Sequence, residues 1–338
     1  MKLSLFQNYM QKEKIGLCVF PGSDPNFFYF VQENLPKSLL LIFRTGKPVI
    51  ITSGLEEKPK GFRIVETRKY LIEIKKLAKK QRVQKVGVNK KKLTHYQYLK
   101  FRRLGGMVDV GSVLLEMRAQ KTPAELVKVR KACNITTNIV NKLIKNLRKF
   151  KTEKEIVQFL KIETIKNDCE LAFDPIVASG KRAAVPHAAK YGRLTGFLVV
   201  DFGVKYKGYC SDMTRTFYKG KPTEKEKELY NLVLKAQQKA IDKVKVGVKG
   251  WELDGAARRS FGRLRDKFTH GLGHGVGVEI HEKPNLLKGS RDVFKANMVF
   301  TVEPGYYDDI GIRIEDTVLL TRKGLVVLTR VPKRLICF

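Results

Sequence analysis

No apolar run in this 338-residue chain is long enough to cross a bilayer. The longest, such as Ser38 to Phe43 and Phe197 to Val200, fall far short of the roughly 18 to 20 residues a spanning helix needs. No secretory leader is expected either. Gln7, Asn8 and then Lys12, Glu13 and Lys14 come before any sustained apolar segment, so a cytoplasmic location and no membrane partner are expected. Cysteine is sparse. The five, at 18, 133, 169, 210 and 337, are odd in number and scattered without CxxC spacing, which excludes a disulfide framework and a thiolate zinc site and leaves buried free thiols. Acidic residues are scarce too, 33 against 67 basic ones, for a net charge of +34. Such an excess raises nucleic-acid binding as a possibility. It is spread over the chain, however, with 24 basic and 9 acidic residues in the first 120 and 43 and 24 in the rest. Its densest runs, Lys75-Lys76 with Lys79-Lys80 and Lys90-Lys91-Lys92, read as solvated helix faces and a turn, which favours nonspecific polyanion attraction over a dedicated site. Repeats and low-complexity tracts are absent. What remains, 43% hydrophobic and 30% charged residues, is the composition of a soluble globular protein with room for two domains.

Punctuation and periodicity divide the chain. The first 110 or so residues alternate short strands and helices: Leu39 to Phe43 and Val49 to Thr52 form a hairpin around Thr45-Gly46-Lys47-Pro48, Tyr70 to Lys80 has apolar residues at helical spacing, and Lys85 to Asn89 reads as a strand. This predicts an α/β domain over residues 1–115. A new helical region then starts at Thr122-Pro123 with Glu125, an N-cap, N1 proline and capping box. The same signature opens helices at Thr152 with Glu155, running toward Asn167, and at Thr223 with Glu226, running toward Val244. Strand pairs lie between and after them: Phe197 to Val204 with Tyr209 to Phe217, and Met298 to Tyr306 with Ile312 to Leu320. Residues 116–338 are therefore expected to form an α+β domain with helices over antiparallel sheet.

Chemistry concentrates in the second part. Asp201 interrupts the apolar run Phe197-Leu-Val-Val-Asp-Phe-Gly, and a buried carboxylate needs a partner or a cation. A salt bridge would explain one such residue. With the turn placed at Lys205 to Gly208, however, Asp212 falls opposite Asp201, and two like charges there repel unless something positive sits between them. Glu303 in Val302-Glu303-Pro304-Gly305 and Glu315 in Arg313-Ile314-Glu315-Asp316 repeat the arrangement on strands joined by Asp308 to Gly311. Nearby runs Thr269-His270-Gly-Leu-Gly-His274-Gly-Val-Gly-Val-Glu-Ile-His281-Glu282. Its glycines at 271, 273, 275 and 277 make a helix improbable and allow close backbone approach in an extended segment. Three of the five histidines fall within the twelve positions 270–281, and a fourth, His187, follows the strand and turn Phe173 to Gly180.

The ordered series Asp201, Asp212, His274, Glu303, Glu315, set in VDFG, SDMTRT, HGLGHGVGVEIHE, EPG and RIED, resembles the pita-bread metallopeptidases, which include aminopeptidase P, prolidase, methionine aminopeptidase and creatinase. The resemblance spans about residues 120 to 338, and the N-terminal part looks like the smaller creatinase-type domain of the Xaa-Pro enzymes. It implies two divalent metal ions, Asp201 chelating one, Asp212 and Glu315 bridging both, and His274 and Glu303 completing the second. Four carboxylates and one imidazole favour Mn, Co or Fe over a structural Zn. Two such ions can share a water and polarise a scissile carbonyl. The resemblance further implies Glu303 as proton acceptor, and His187 and His281 as donors to the carbonyl and the tetrahedral intermediate. His270 and Arg313 become substrate or supporting groups, with a salt bridge to a ligand carboxylate as the other reading of Arg313.

The extra domain, the EPGYY context and the paired His270 and His274 favour an Xaa-Pro peptidase over a methionine aminopeptidase, and the length favours a dipeptidase acting on small peptides. An Xaa-Pro aminopeptidase stays open, as does a noncatalytic nucleic-acid or ribosome binder on the same fold. Members of the family are often homodimers. Two departures from the usual pattern bear on the substrate pocket: Ala188-Ala189 follow His187, and the stretch Arg258 to Thr269 is short.

Overall fold

Leu17–Pro21, Leu39–Phe43 and Val49–Thr52 are apolar almost without alternation, as strands are when both their faces are covered. In the computed structural model, which describes residues 2–185 and 191–338, they lie at the centre of a six-stranded sheet. Its order is Arg63–Glu66, Val49–Thr52, Leu39–Phe43, Leu17–Pro21, Lys85–Val88, Gly106–Asp109. The hairpin pairs Leu39 with Ile51 and Leu41 with Val49, and Gly46 in its turn takes φ +83°, open to glycine without strain. Alternate residues serve two cores. Cys18, Phe20, Leu40 and Ile42 pack with Phe6, Met10 and Leu114, while Leu17, Val19 and Leu41 pack with Ile74, Leu77 and Phe101 of the helices Tyr70–Lys80 and His95–Phe101.

The chain divides into two compact units, Met1–Arg118 and Ala119–Phe338. The division falls beyond residue 115 because most of helix Gly111–Ala119 is built into the first unit: Leu114 is in its core, the Tyr29 phenol donates to the Met117 carbonyl at 3.4 Å, and Arg118 Nη1 donates to Asn26 Oδ1 at 3.2 Å.

In the second unit all three capping boxes form, at Thr122 with Glu125, Thr152 with Glu155 and Thr223 with Glu226, opening helices Pro123–Asn146, Glu153–Lys166 and Glu224–Ile241. A fourth helix covers Gly250–Phe261. Ile135, Ile139, Leu143 and Leu160 pack on Leu198, Val200 and Phe217 of one antiparallel sheet. Tyr230, Val233, Leu253 and Phe261 pack on Phe300 and Val318 of another. No helix among the described residues is long and apolar enough to cross a membrane.

Each expected long strand is interrupted where it carries its carboxylate. The first pair splits into Gly196–Asp201 with Thr214–Lys219 and Val204–Tyr206 with Tyr209–Cys210. The second splits into Val299–Val302 with Asp316–Thr321 and Gly305–Tyr307 with Gly311–Arg313.

Candidate metal centre and active site

The placing of the carboxylates follows from turn geometry. The first hairpin closes on two residues, Lys207 at φ +45° and Gly208 at φ +77°, with Tyr206 paired to Tyr209. A two-residue loop with positive φ at both positions matches the right-handed twist of its strands. It is shorter than the four-residue turn expected from sequence, so Asp201 pairs with Thr214, and Asp212 is its diagonal neighbour rather than its direct opposite. Diagonal neighbours share a face of the ladder, so the two carboxylates still come together. In the second hairpin the pairs Val302 with Asp316 and Gly305 with Arg313 bracket Glu303 and Glu315, which therefore face each other directly. The backbone N–H groups of the two glutamates leave their ladder. Glu303 donates to the Leu272 carbonyl at 2.8 Å and Glu315 to the Thr214 carbonyl at 3.1 Å. These bonds tie the histidine segment and both hairpins into one piece.

The histidine segment is extended, as its glycines require. Gly273–Gly275 is a strand between Glu282–Leu286 and Val299–Val302, and a Cβ at Gly273 or Gly275 would run into the Thr301 or Lys283 carbonyl. His274 Nδ1 lies 3.1 Å from the Gly275 carbonyl, which only accepts, so that nitrogen carries the proton. Nε2 is left facing Glu303 Oε1 at 3.3 Å and Asp212 Oδ2 at 3.6 Å. Ligand atoms of Asp212, His274 and Glu315 all lie within 4.8 Å of one another. Asp201 lies beside this trio and turns one oxygen to Arg313, at 2.6 Å.

Three carboxylate oxygens here, Asp201 Oδ1, Asp212 Oδ1 and Glu315 Oε1, are buried with no hydrogen-bond partner among the described residues. Burial drives the carboxyls of Asp212 and Glu315 well above the usual carboxylate range and raises Asp201. The neighbouring carboxylates push each further, while Arg313 pulls in the opposite direction. Glu303 is the exception. Burial would raise it, but the hydrogen bond and charge of His274 outweigh burial and hold it at about 2. His274 is correspondingly raised: burial opposes its charge, and Glu303 overcomes that. Unpartnered buried oxygens around one imidazole nitrogen lack only a cation, and their hard, oxygen-rich character suits a divalent one.

All five predicted ligands line a single cavity of about 870 Å³, together with His270, His281 and Arg313. His281 is exposed, its ring against that of His274 with centroids 4.2 Å apart. His187 lies outside the described residues. His270 and Arg313 both line the cavity and both make bracing contacts within it. The nitrogens of Arg313 donate to Asp201 Oδ2, the Tyr307 oxygen at 2.9 Å and Thr214 Oγ1 at 3.1 Å, which selects the salt-bridge reading. His270 lies 2.8 Å from the Gly271 carbonyl through Nδ1 and 2.9 Å from the Tyr307 oxygen through Nε2. Its burial lowers its pKa, and the neutral ring accepts the phenol proton at Nε2.

Several supporting groups escaped the sequence reading. Thr214 donates to Glu315 Oε2 at 2.6 Å and Thr301 to Glu303 Oε1 at 3.1 Å. Arg215, fully buried, donates to the carbonyls of Thr214 and Glu315 and to Asp316 Oδ1 at 2.6 Å. Arg258, paired with Asp254 at 2.8 Å, donates to the Phe268 and His270 carbonyls at 2.7 and 2.6 Å and so anchors the short stretch before the histidines. The available signal was the TRT triplet after Asp212, in which a cationic side chain stands in a run that must be buried.

Two helix-covered antiparallel sheets, with carboxylates and an imidazole converging on an open cavity, define a metal-dependent enzyme. A family model for metallopeptidase family M24 matches residues 127–322, and the chain belongs to that family and has its pita-bread fold. The Xaa-Pro dipeptidase of Pyrococcus horikoshii is 39% identical over 235 residues, 67% of either chain. The solved Xaa-Pro dipeptidase of Bacillus anthracis is 31% identical and superposes with a TM-score of 0.92 over 100% of this chain and 99% of its own. The X-Pro aminopeptidase of Thermotoga maritima is 29% identical, with a TM-score of 0.88 over 96% and 98%.

Proposed function

We propose that this metallopeptidase hydrolyses the bond before proline in dipeptides, with two divalent ions held by Asp201, Asp212, His274, Glu303 and Glu315. The observation that carries the reading is the set of buried, unpartnered oxygens on Asp201, Asp212 and Glu315 around His274 Nε2. Mn, Co and Fe suit the donor set, with Zn as the softer choice. When bound, such ions supply Lewis acidity for the scissile carbonyl and for activating a water.

The chain's own groups do the rest. Glu303, held ionised, accepts the proton of the attacking water. His281, exposed on the cavity wall, donates to the oxygen on which charge develops, and His187 is assigned the same work. Thr214 and Thr301 fix the glutamates, and Arg313 fixes Asp201. With Arg313 engaged, Lys161 is the other lysine or arginine among the described residues lining the cavity. Its partner at 3.2 Å, Asp174, is an exposed surface carboxylate, and such a pair exchanges readily. Lys161 is therefore the group assigned to the free carboxylate that distinguishes a dipeptide, while Phe173, Pro175, Ile176 and Leu287 offer an apolar wall to the proline ring.

Steady-state kinetics on Gly-Pro, Gly-Pro-amide and a longer Gly-Pro-Xaa peptide test this. Lys161→Ala should raise KM for Gly-Pro several-fold while sparing the amide. An enzyme that prefers the longer peptide and ignores this substitution is an Xaa-Pro aminopeptidase.

A further inference from the structure

Counted by halves, the positive charge of this chain looks diffuse. Counted by segment, it is concentrated. Residues 68–103 carry fourteen Lys and Arg against one acidic residue, Glu73, whereas the rest of the first unit carries ten against eight. This segment supplies helices Tyr70–Lys80 and His95–Phe101, whose Ile74, Leu77, Ala78 and Phe101 cover one face of the six-stranded sheet. The opposite side of that layer faces solvent, and thirteen of the fourteen basic residues are exposed.

The spacing is regular. Lys75 with Lys79 and Lys76 with Lys80 form two rows on the helix flank away from Ile74, Leu77 and Ala78, each pair about 6 Å apart along the axis. None of the four makes an ion pair among the described residues. Cations spread over an exposed layer suit a polymer of closely spaced phosphates rather than a single small anion. A second copy of the chain would present the same charge and be repelled. Tyr96 is 64% exposed, with Lys100 Nζ 3.9 Å from its ring centroid, and gives a base a surface to stack on. A lipid surface would need a broad insertable apolar face, which a helix with four outward lysines does not present.

We propose that this layer of the first unit is a sequence-independent nucleic-acid docking surface, separate from the peptidase cavity. Lysine predominates over arginine on it, as fits backbone neutralisation by point charges rather than base reading.

The test is fluorescence anisotropy of the metal-loaded full chain with a labelled 20-nucleotide oligouridylate between 50 and 300 mM KCl. Wild type should bind saturably at 100 mM, with log K falling against log[salt] at roughly −0.7 per phosphate engaged. Changing Lys75, Lys76, Lys79 and Lys80 to Gln should reduce that slope by about 2 to 3 and weaken binding at least ~10-fold, while Gly-Pro hydrolysis and melting temperature stay put. A control with Lys225, Lys235, Lys239 and Lys243 changed to Gln, all exposed in the second unit, should bind as wild type does. No saturable wild-type binding would overturn the proposal. Equal losses in both variants would overturn it in favour of diffuse attraction, and tighter binding to phosphatidylserine vesicles than to RNA would overturn it in favour of a membrane.

Discussion

The histidines and carboxylates of the cavity sort by what each atom faces. Asp212 has one unpartnered buried oxygen and another beside His274 Nε2. Asp212→Ala should therefore release metal and take peptidase activity to background; full activity with full metal content would remove it from the site. The titration behaviour gives an independent check. The folded-state pKa of Asp212 lies above its unfolded value near 4, so the metal-free fold binds more protons than the unfolded chain. Its contribution is fully present below the unfolded pKa and is lost as pH rises through the folded one. In chelator, urea denaturation should show Asp212→Asn gaining stability over wild type between pH 5 and pH 8; a gap that closes over that range would contradict the burial argument. For His281 the expectation is the reverse of that for Asp212. His281→Ala should lower kcat by about 10²-fold to 10³-fold, the size of a lost oxyanion donor, with metal content unchanged by elemental analysis.

At the scale of elements, the site depends on interrupted hairpins held by the buried cations Arg215 and Arg313. Arg215 braces the carbonyls of Thr214 and Glu315 and pairs with Asp316, which Lys333 also approaches at 2.9 Å. Arg215→Met should cost about 3 kcal/mol or more in denaturant unfolding, because it leaves the Thr214 and Glu315 carbonyls without their buried donor and Asp316 with Lys333 as its remaining cation, and should weaken metal binding through Glu315. Unchanged metal affinity in a folded variant would separate the brace from the site. The same elements show how far sequence reaches. Capping boxes, apolar periodicity and the glycine-spaced histidines identified the three helices, the first-unit hairpin and the extended character of 273–275, because those signals are local. The offset between Asp201 and Asp212 was not legible, since it turns on whether Lys207 takes a positive φ, and lysine does not announce that. The salt bridge of Arg313 to a ligand carboxylate was among the sequence readings, but the Tyr307 that His270 and Arg313 share was not, because it arrives from another strand. The gathering of charge on residues 68–103 is visible in a count over that segment and is masked by a count over halves; what the sequence did not show is that its two helices cover one face of a single sheet.

For the whole molecule, the two units divide the work. All five proposed ligands lie in Ala119–Phe338, so metal should stabilise that unit by mass action, about 4 kcal/mol for a site at ~1,000 times Kd, and leave the first unit's own opening unaffected. Hydrogen exchange should show chelation lowering protection in Gly196–Asp201 and Val299–Val302 while Leu17–Pro21 holds. Equal loss in both would mean that the units do not respond separately. The central claim is that the converging carboxylates and His274 make a metal-dependent Xaa-Pro peptidase, and the most direct test is hydrolysis of Gly-Pro by protein stripped with chelator and then given Mn, Co, Fe or Zn. The account predicts no cleavage by stripped protein and restored cleavage on adding a divalent ion. Cleavage that survives stripping, or none at all with metal demonstrably bound, would contradict it.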